Sequence, residues 1–318
     1  MSFVWIFGSI NNMRFSVLIL GNSSATPMYE RHPTAQVVNH NEQLYLIDCG
    51  EGTQMQLTRY GIKSNRINHI FISHLHGDHY LGLVGLVSSM HLMGRKSDLH
   101  LYGPAPLEEI LALNFKYSET ELRYNLIFHP TNPHEQEVVY DSKLLRVESF
   151  PLRHRIACTG FRFQEGERPA KLDMEKAAKL EIPTALINGI KWGLDFTDKD
   201  GKVYPSSELT TAPPRPRSYA YCSDTVRIPD YLPSIHRANL LYHESTFLDE
   251  MRERAVETFH TTALQAGEVA KQAEVNHLLL GHYSARYKTR ELNLLLDEAR
   301  SAFPHTDLSV EGKWYDVE

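Results

Sequence analysis

Apolar residues along this chain come in short dense runs separated by polar turns, and the runs alternate between two kinds. RFSVLILG, ending at Gly21, is nearly continuous in large aliphatic side chains, as in a strand buried on both faces. A polar loop, NSSATPMYERHP, follows it. QLYLIDCGEGTQMQLTRYG then reads as a strand, a glycine-rich turn and a helix. INHIFISH predicts a further strand, YLGLVGLVSSMHLMG an apolar helix, and LHLYGP a strand stopped by Gly-Pro. The second half repeats the alternation: SYAYCSDT, LLYHESTF and HLLLGHYSARY read as strands and their exits, TTALQAGEVAKQAE and RELNLLLDEARSAF as helices. Strands and helices alternating over short connections predict a layered α/β fold.

The stretch from about 165 to 217 breaks the pattern. It is rich in charge, carries GERP, TDKDGK and APPRPR, and has weak periodicity. It predicts an inserted surface arm without a core of its own. At the N-terminus, FVWIFGSI is apolar, but no Lys or Arg precedes it and no A-x-A-like site follows. Residues 1–12 are therefore expected to be an extension, with Met13 the functional start and 13–318 the folded domain.

Composition narrows the class only slightly. The 318 residues are 42% hydrophobic and 23% charged with a formal net charge of −6, so no global positive charge points to nucleic acid, although a local patch needs none. Three dispersed cysteines, Cys49, Cys158 and Cys222, form neither a disulfide framework nor a zinc ribbon and fit a reducing cytoplasm. No apolar run approaches the roughly 20 residues of a membrane-spanning helix.

The chemistry is concentrated in SHLHGDH, residues 73–79. Strand alternation would point His74 and His76 the same way. Gly77 would allow a sharp turn. Asp78 and His79 would open the following helix, with Asp78 suited to cap it. One ion cannot use four ligand-type groups at this spacing. Two ions can, with His74 and His76 on one and Asp78 and His79 on the other. This is the metallo-β-lactamase superfamily pattern, and further ligands should follow later strands: His154 in SFPLRHRIACTGF, Asp224 in YAYCSDT as a bridging carboxylate, and His282 in HLLLGHYSARY. Neutral imidazoles with carboxylates suit Zn²⁺ best, with Mn²⁺ or Co²⁺ as substitutes.

From Gly21 to about Tyr287 the chain resembles the ribonuclease Z family, the tRNA 3′-processing endonucleases. IDCGEGTQMQL, SHLHGDHYLGLVGL, LYGP, PLRHRIACTGF, YCSDT, HESTF, FHTTALQA and GHYSARY carry the resemblance. HESTF and HTT resemble the family's HEAT and HST loops, which lactamases and thioesterases have no evident need for. The resemblance implies an αββα sandwich, two zinc ions, a homodimer and precursor tRNA as substrate. It implies His74, His76 and His154 on one zinc, Asp78, His79 and His282 on the other, and Asp224 between them. Asp78 would also accept the proton of the attacking water. Glu244 and His260, in the HEAT- and HST-like loops, would supply general-acid assistance, with a purely structural pair as the competing reading. Asp48 and His243 are candidates for orienting ligands. Water attack would leave a 3′-hydroxyl on the tRNA and a 5′-phosphate on the trailer.

Two stretches depart from the family pattern. In PMYERH, Pro27 and Arg31 match a P-x-K-x-R-N loop, but Tyr29 and His32 replace its Lys and Asn. The arm lacks the family's Gly-Pro motif and its charges balance, leaving Lys179, Lys191, Lys199 and Lys202 as candidate phosphate contacts. The alternative is a dinuclear-zinc phosphodiesterase acting on small diesters or other RNA 3′ ends. A degenerate RNA-binding module would have a damaged ligand set, and all seven candidates are present.

Overall fold

The computed structural model describes residues 14–213 and 215–318. The expectation for residues 1–12 lies outside the described residues. The chain divides into two compact units, one built from the chain up to Asp141 with Arg146–Phe163 and Ser218–Glu318, the other from Ser142–Leu145 and Gln164–Arg217.

The larger unit is built on two seven-stranded sheets. The first runs, in spatial order, Trp314–Asp316, Phe15–Gly21, Ala35–His40, Gln43–Ile47, Ile67–Phe71, Leu99–Gly103 and Leu126–Pro130. Its pairings are antiparallel up to Gln43–Ile47 and parallel beyond it. The second runs Thr306–Leu308, His277–Gly281, Leu240–Glu244, Ser218–Cys222, Cys158–Glu165, Leu145–Leu152 and Glu137–Asp141. Its first four strands are parallel.

Side-chain alternation then sets the layers. Leu18, Leu20, Leu46, Ile70 and Leu101 leave the first sheet on one face and pack with Leu57, Leu86, Val87, Met90 and Leu107 of the helices Thr53–Arg59, Leu83–Leu92 and Pro106–Tyr117. Cys222, Leu241, Leu278 and Leu280 of the second sheet meet Ala266, Val269, Ala270, Leu295 and Ala299 of Ala263–Gln272 and Leu292–Ala302. Between the sheets lies an aromatic layer. Phe71 stands 5.5 Å from Phe161 and 5.3 Å from Phe163, ring centre to ring centre, with Tyr45 6.0 Å from Phe163. The order is helix, sheet, sheet, helix, and the inner strands are buried on both faces, as Phe15–Gly21 is throughout. That is the αββα sandwich.

The smaller unit corrects one expectation: it has a core. Leu172, Ala177, Ile182, Ile190, Phe196 and Leu209 form its apolar cluster. Asp173 caps Met174–Lys179 by accepting from the backbone N–H groups of Glu175 and Lys176. The helices here have only 4 to 8 residues, too short for a 3.6-residue period to stand out in the sequence. Glu165 N–H donates to Arg217 O at 2.9 Å, and the Glu165 carboxylate takes the Arg217 guanidinium at 2.7 Å, so the ends of the insert are tied together.

Candidate metal centre

The centre sits where several parallel strands end, the place an open α/β sheet leaves for a ligand. Ile67–Phe71 stops before the motif, so His74 and His76 are not set by strand alternation as expected. They lie on a loop whose backbone is fixed from outside. Ser73 N–H donates to Asp48 Oδ1 at 2.7 Å, and Ser73 O accepts from Thr159 N–H at 3.0 Å. Asp78 is not the helix cap either. The short helix Gly77–Tyr80 has His76 at that position, and Asp78 Oδ2 instead accepts from the backbone N–H of Ala25 at 2.7 Å. Gly77 is not among the residues at positive φ, so the turn does not depend on it for that freedom. The glycines that matter here are Gly50 and Gly82. A Cβ on Gly50 would lie 2.4 Å from Asp78 O, and one on Gly82 2.2 Å from Gly50 O. The IDCGEG turn and the HGDHYLG segment therefore pack backbone to backbone.

The seven expected ligands converge. His74 Nε2 and His154 Nε2 each lie 3.1 Å from His76 Nδ1. His79 Nε2 lies 3.3 Å from His282 Nε2, with Asp78 Oδ2 at 3.5 and 3.4 Å from them. Asp224 stands between the groups. Its Oδ2 faces His74 and His154 at 3.6 and 3.8 Å, and its Oδ1 faces His79 and His282 at 3.4 and 3.1 Å. The donor atoms thus gather in groups, His74, His76, His154 and Asp224 in one and Asp78, His79 and His282 in another, the atoms of each within 4.8 Å of one another. Asp224 Oδ1 is buried without a hydrogen bond. Leaving such an oxygen unsatisfied is costly, and a cation removes the cost. Buried imidazoles and carboxylates with an orphaned acceptor among them fit divalent cations.

The far sides of His79, His154 and His282 are held. His79 Nδ1 donates to Asp48 Oδ2 at 2.7 Å, which presents the Nε2 lone pair to the site. Asp48 is itself gripped by Ser73 Oγ at 2.9 Å and Tyr221 Oη at 2.6 Å. His154 Nδ1 donates to Phe259 O at 2.9 Å, and His282 Nδ1 lies 3.0 Å from Thr246 Oγ1. Asp48 and His282 both have a left-handed backbone, with φ of 55° and 57°. That conformation is strained for a side-chain-bearing residue and is held here by the surrounding contacts.

Burial and its neighbours His79, His154 and His76 push His74 well below the usual imidazole range. Burial also lowers His76 and His154. His79 goes the other way. Burial opposes its charge, but the carboxylates of Asp78, Asp224 and Asp48 outweigh that and raise it to about 10. Asp78 is held far below the ordinary carboxylate range, because His79, His282 and the Ala25 N–H overcome the cost of its burial.

Glu244 and His260 form a pair beside the ligands. Glu244 is fully buried, and its Oε1 accepts from His260 Nδ1 and from Thr225 N–H, each at 3.0 Å. Thr246 Oγ1 donates to its other oxygen at 2.6 Å. Burial disfavours both charges, yet each stabilises the other, taking Glu244 down to about 2 and His260 up to about 9. The His260 ring stands 5.4 Å from both His154 and His282. It lines a cavity of about 640 Å³ together with His76, Asp78, His154, Asp224 and Arg155.

Of the two candidate orienting residues, Asp48 belongs to the centre and His243 does not: His243 is buried between Glu244 O and Tyr231 Oη. Sequence reasoning missed Thr246, Ser73, Tyr221 and Arg155. Each lies inside a stretch singled out above, HESTF, SHLHGDH, YCSDT and PLRHRIACTGF, but nothing in the spacing of those stretches marked it. The three cysteines are free and buried.

A two-sheet sandwich with histidine and carboxylate ligands gathered at its strand ends defines a metal-dependent hydrolase of the metallo-β-lactamase fold. Solved structures agree on the fold. The short form of human tRNase Z superimposes with a TM-score of 0.69 at 24% identity, covering 95% of this chain and 99% of that one. The metallo-β-lactamase fold protein YhfI of Bacillus subtilis gives 0.67 at 17%, covering 95% and 99%. The family profile described as anti-Pycsar protein Apyc1 matches residues 15–168, a stretch that ends before Asp224, Glu244, His260 and His282. Full-length relatives are more specific. Ribonuclease Z of Phocaeicola vulgatus is 46% identical over 94% of this chain and 96% of its own length, and that of Bacteroides thetaiotaomicron 45% over 94% of each. The chain belongs to the ribonuclease Z family. Among the described residues no helix is long and apolar enough to cross a membrane.

Proposed function

We infer that this protein is an endoribonuclease that removes the 3′ trailer from precursor tRNA, leaving a 3′-hydroxyl on the tRNA and a 5′-phosphate on the trailer. The observation that carries this reading is the Glu244–His260 pair, whose imidazole lines the same cavity as His76, Asp78, His154 and Asp224, in a chain of this family. We take the cofactor to be two Zn²⁺ per subunit, held by His74, His76 and His154 and by Asp78, His79 and His282, with Asp224 shared. Divalent ions so held supply Lewis acidity for a phosphodiester and an activated water at neutral pH.

The chain's own groups do the rest. Asp78, ionised and anchored on Ala25, is the acceptor for the proton of the attacking water. Glu244 aims His260 and keeps it protonated, so that a proton is available to the departing ribose 3′ oxygen. Thr225 and Thr246 fix Glu244 so that its charge stays directed at the imidazole. The lysines Lys179, Lys191, Lys199 and Lys202 in the insert are offered as salt-sensitive contacts to tRNA phosphates. A homodimer acting in the cytoplasm completes the reading.

The test is to incubate the zinc-loaded protein, and Asp78→Ala alongside it, with a precursor tRNA bearing a 3′ trailer, and to map the ends. A single cut near the discriminator with a 3′-hydroxyl product, lost in the variant, is the expected result. Turnover of a small diester without any cut in the precursor would refute the tRNA reading and leave a phosphodiesterase.

A further inference from the structure

The cavity wall carries two arginines, and they are in different states. Arg254 Nη1 donates to Glu257 Oε2 at 3.2 Å, so its charge is matched. Arg155 follows the ligand His154 directly in the chain, is exposed, and makes no ion pair among the described residues. Its Nη2 donates to His76 Nε2 at 3.2 Å.

That contact is incompatible with the ligand role of His76. Nδ1 of His76 is the nitrogen that faces His74 and His154. A neutral imidazole has one proton, so when the Nδ1 lone pair is given to a cation the proton sits on Nε2. A guanidinium has donors only. Two donors would then face each other, and Arg155 is released from the ring toward the cavity it lines. It carries an unmatched positive charge one imidazole ring outward from the ligand cluster. An RNA strand brings a phosphate at every nucleotide, so a group set back from the reacting phosphate meets the next one.

We propose that Arg155 is a substrate-binding residue, whose guanidinium takes a non-bridging oxygen of the backbone phosphate flanking the scissile one. The proposal rests on the ribonuclease reading above. Its contact is a charge-assisted hydrogen bond to a phosphate, for which arginine's planar fork is well suited.

The experiment compares the zinc-loaded wild type with Arg155→Ala and Arg155→Lys. It uses a precursor tRNA and a chromogenic diester that has a single phosphate, and it measures bound metal per chain. For Arg155→Ala we expect unchanged metal content and unchanged diester kinetics. KM for precursor tRNA should rise about tenfold with little change in kcat, and the salt dependence of kcat/KM should become shallower by about one phosphate contact. Arg155→Lys should recover part of the loss, because it restores the charge without the fork. An unchanged KM and salt slope on precursor tRNA would overturn the proposal. So would equal losses on both substrates accompanied by loss of metal, since Arg155 would then be orienting His76. If the wild type turns over the diester but leaves precursor tRNA intact, the ribonuclease reading itself has failed and this proposal falls with it.

Discussion

Asp48→Asn tests how the centre is held together, because it changes one atom of a side chain that touches no substrate. Asp48 is fully buried and accepts from four donors. Oδ1 takes Ser73 N–H at 2.7 Å, while Oδ2 takes Ser73 Oγ at 2.9 Å, Tyr221 Oη at 2.6 Å and His79 Nδ1 at 2.7 Å. An asparagine must place its NH₂ at one of these positions. It cannot take that of Oδ1, where a backbone N–H points at it and cannot turn away. At the other position the hydroxyls of Ser73 and Tyr221 can rotate to accept, so the conflict is transferred to His79. An NH₂ facing Nδ1 forces the proton to Nε2, the atom that faces His282 and Asp78. Losing an outer partner of this kind costs about 10- to 100-fold in metal affinity, roughly 1.4–2.8 kcal/mol. Asp48→Ala, which leaves buried donors with no acceptor, should be worse, at roughly 3–5 kcal/mol of stability. Competition against a chromophoric chelator, with two binding steps resolved, measures the effect. Asp48→Asn should weaken one step and spare the other. Wild-type affinity at both steps, or equal weakening of both, would refute the argument.

Three further outcomes follow from the same geometry. His79 in the metal-free protein has its pKa raised from the ordinary 6.5 to about 10. The stabilisation from its proton is therefore complete below about pH 6.5 and is lost as pH rises through about 10, and metal uptake between those limits releases that proton. Calorimetric titration of metal in buffers of different ionisation enthalpy should count it, and no proton release at pH 7 would contradict the assignment. Glu244→Gln removes the charge that raises His260 to about 9. The alkaline limb of kcat should then move to lower pH, whereas a merely structural pair would lower activity without moving it. Replacing the insert between Glu165 and Arg217 by a short flexible link should leave metal content and small-diester turnover intact, because a 2.9 Å backbone hydrogen bond already joins its ends. Cleavage of precursor tRNA should fall by an order of magnitude or more, and undiminished cleavage would remove the insert from substrate binding.

What the sequence determined by itself is what is local or rigidly ordered along the chain. Continuous aliphatic runs such as FSVLILG read as strands buried on both faces, and the amphipathic LNLLLDEARSA as a helix with one buried face. That the candidate ligand residues after successive strands would be brought together was legible for the same reason, since parallel strands put their exits at one end. The tertiary structure decided everything that depends on residues distant in the chain. That Asp48 rather than His243 contacts a candidate ligand rests on contacts made across turns and between sheets, by Ser73, His79 and Tyr221. The His74–His76 geometry is set by a braced loop and not by strand alternation, and period-two reasoning cannot reach past the strand's last residue, Phe71. The core of the insert was hidden because its helices are shorter than the window in which periodicity can be read. Arg155 was invisible because an arginine beside a histidine means nothing until the fold brings it against a second histidine 79 positions away.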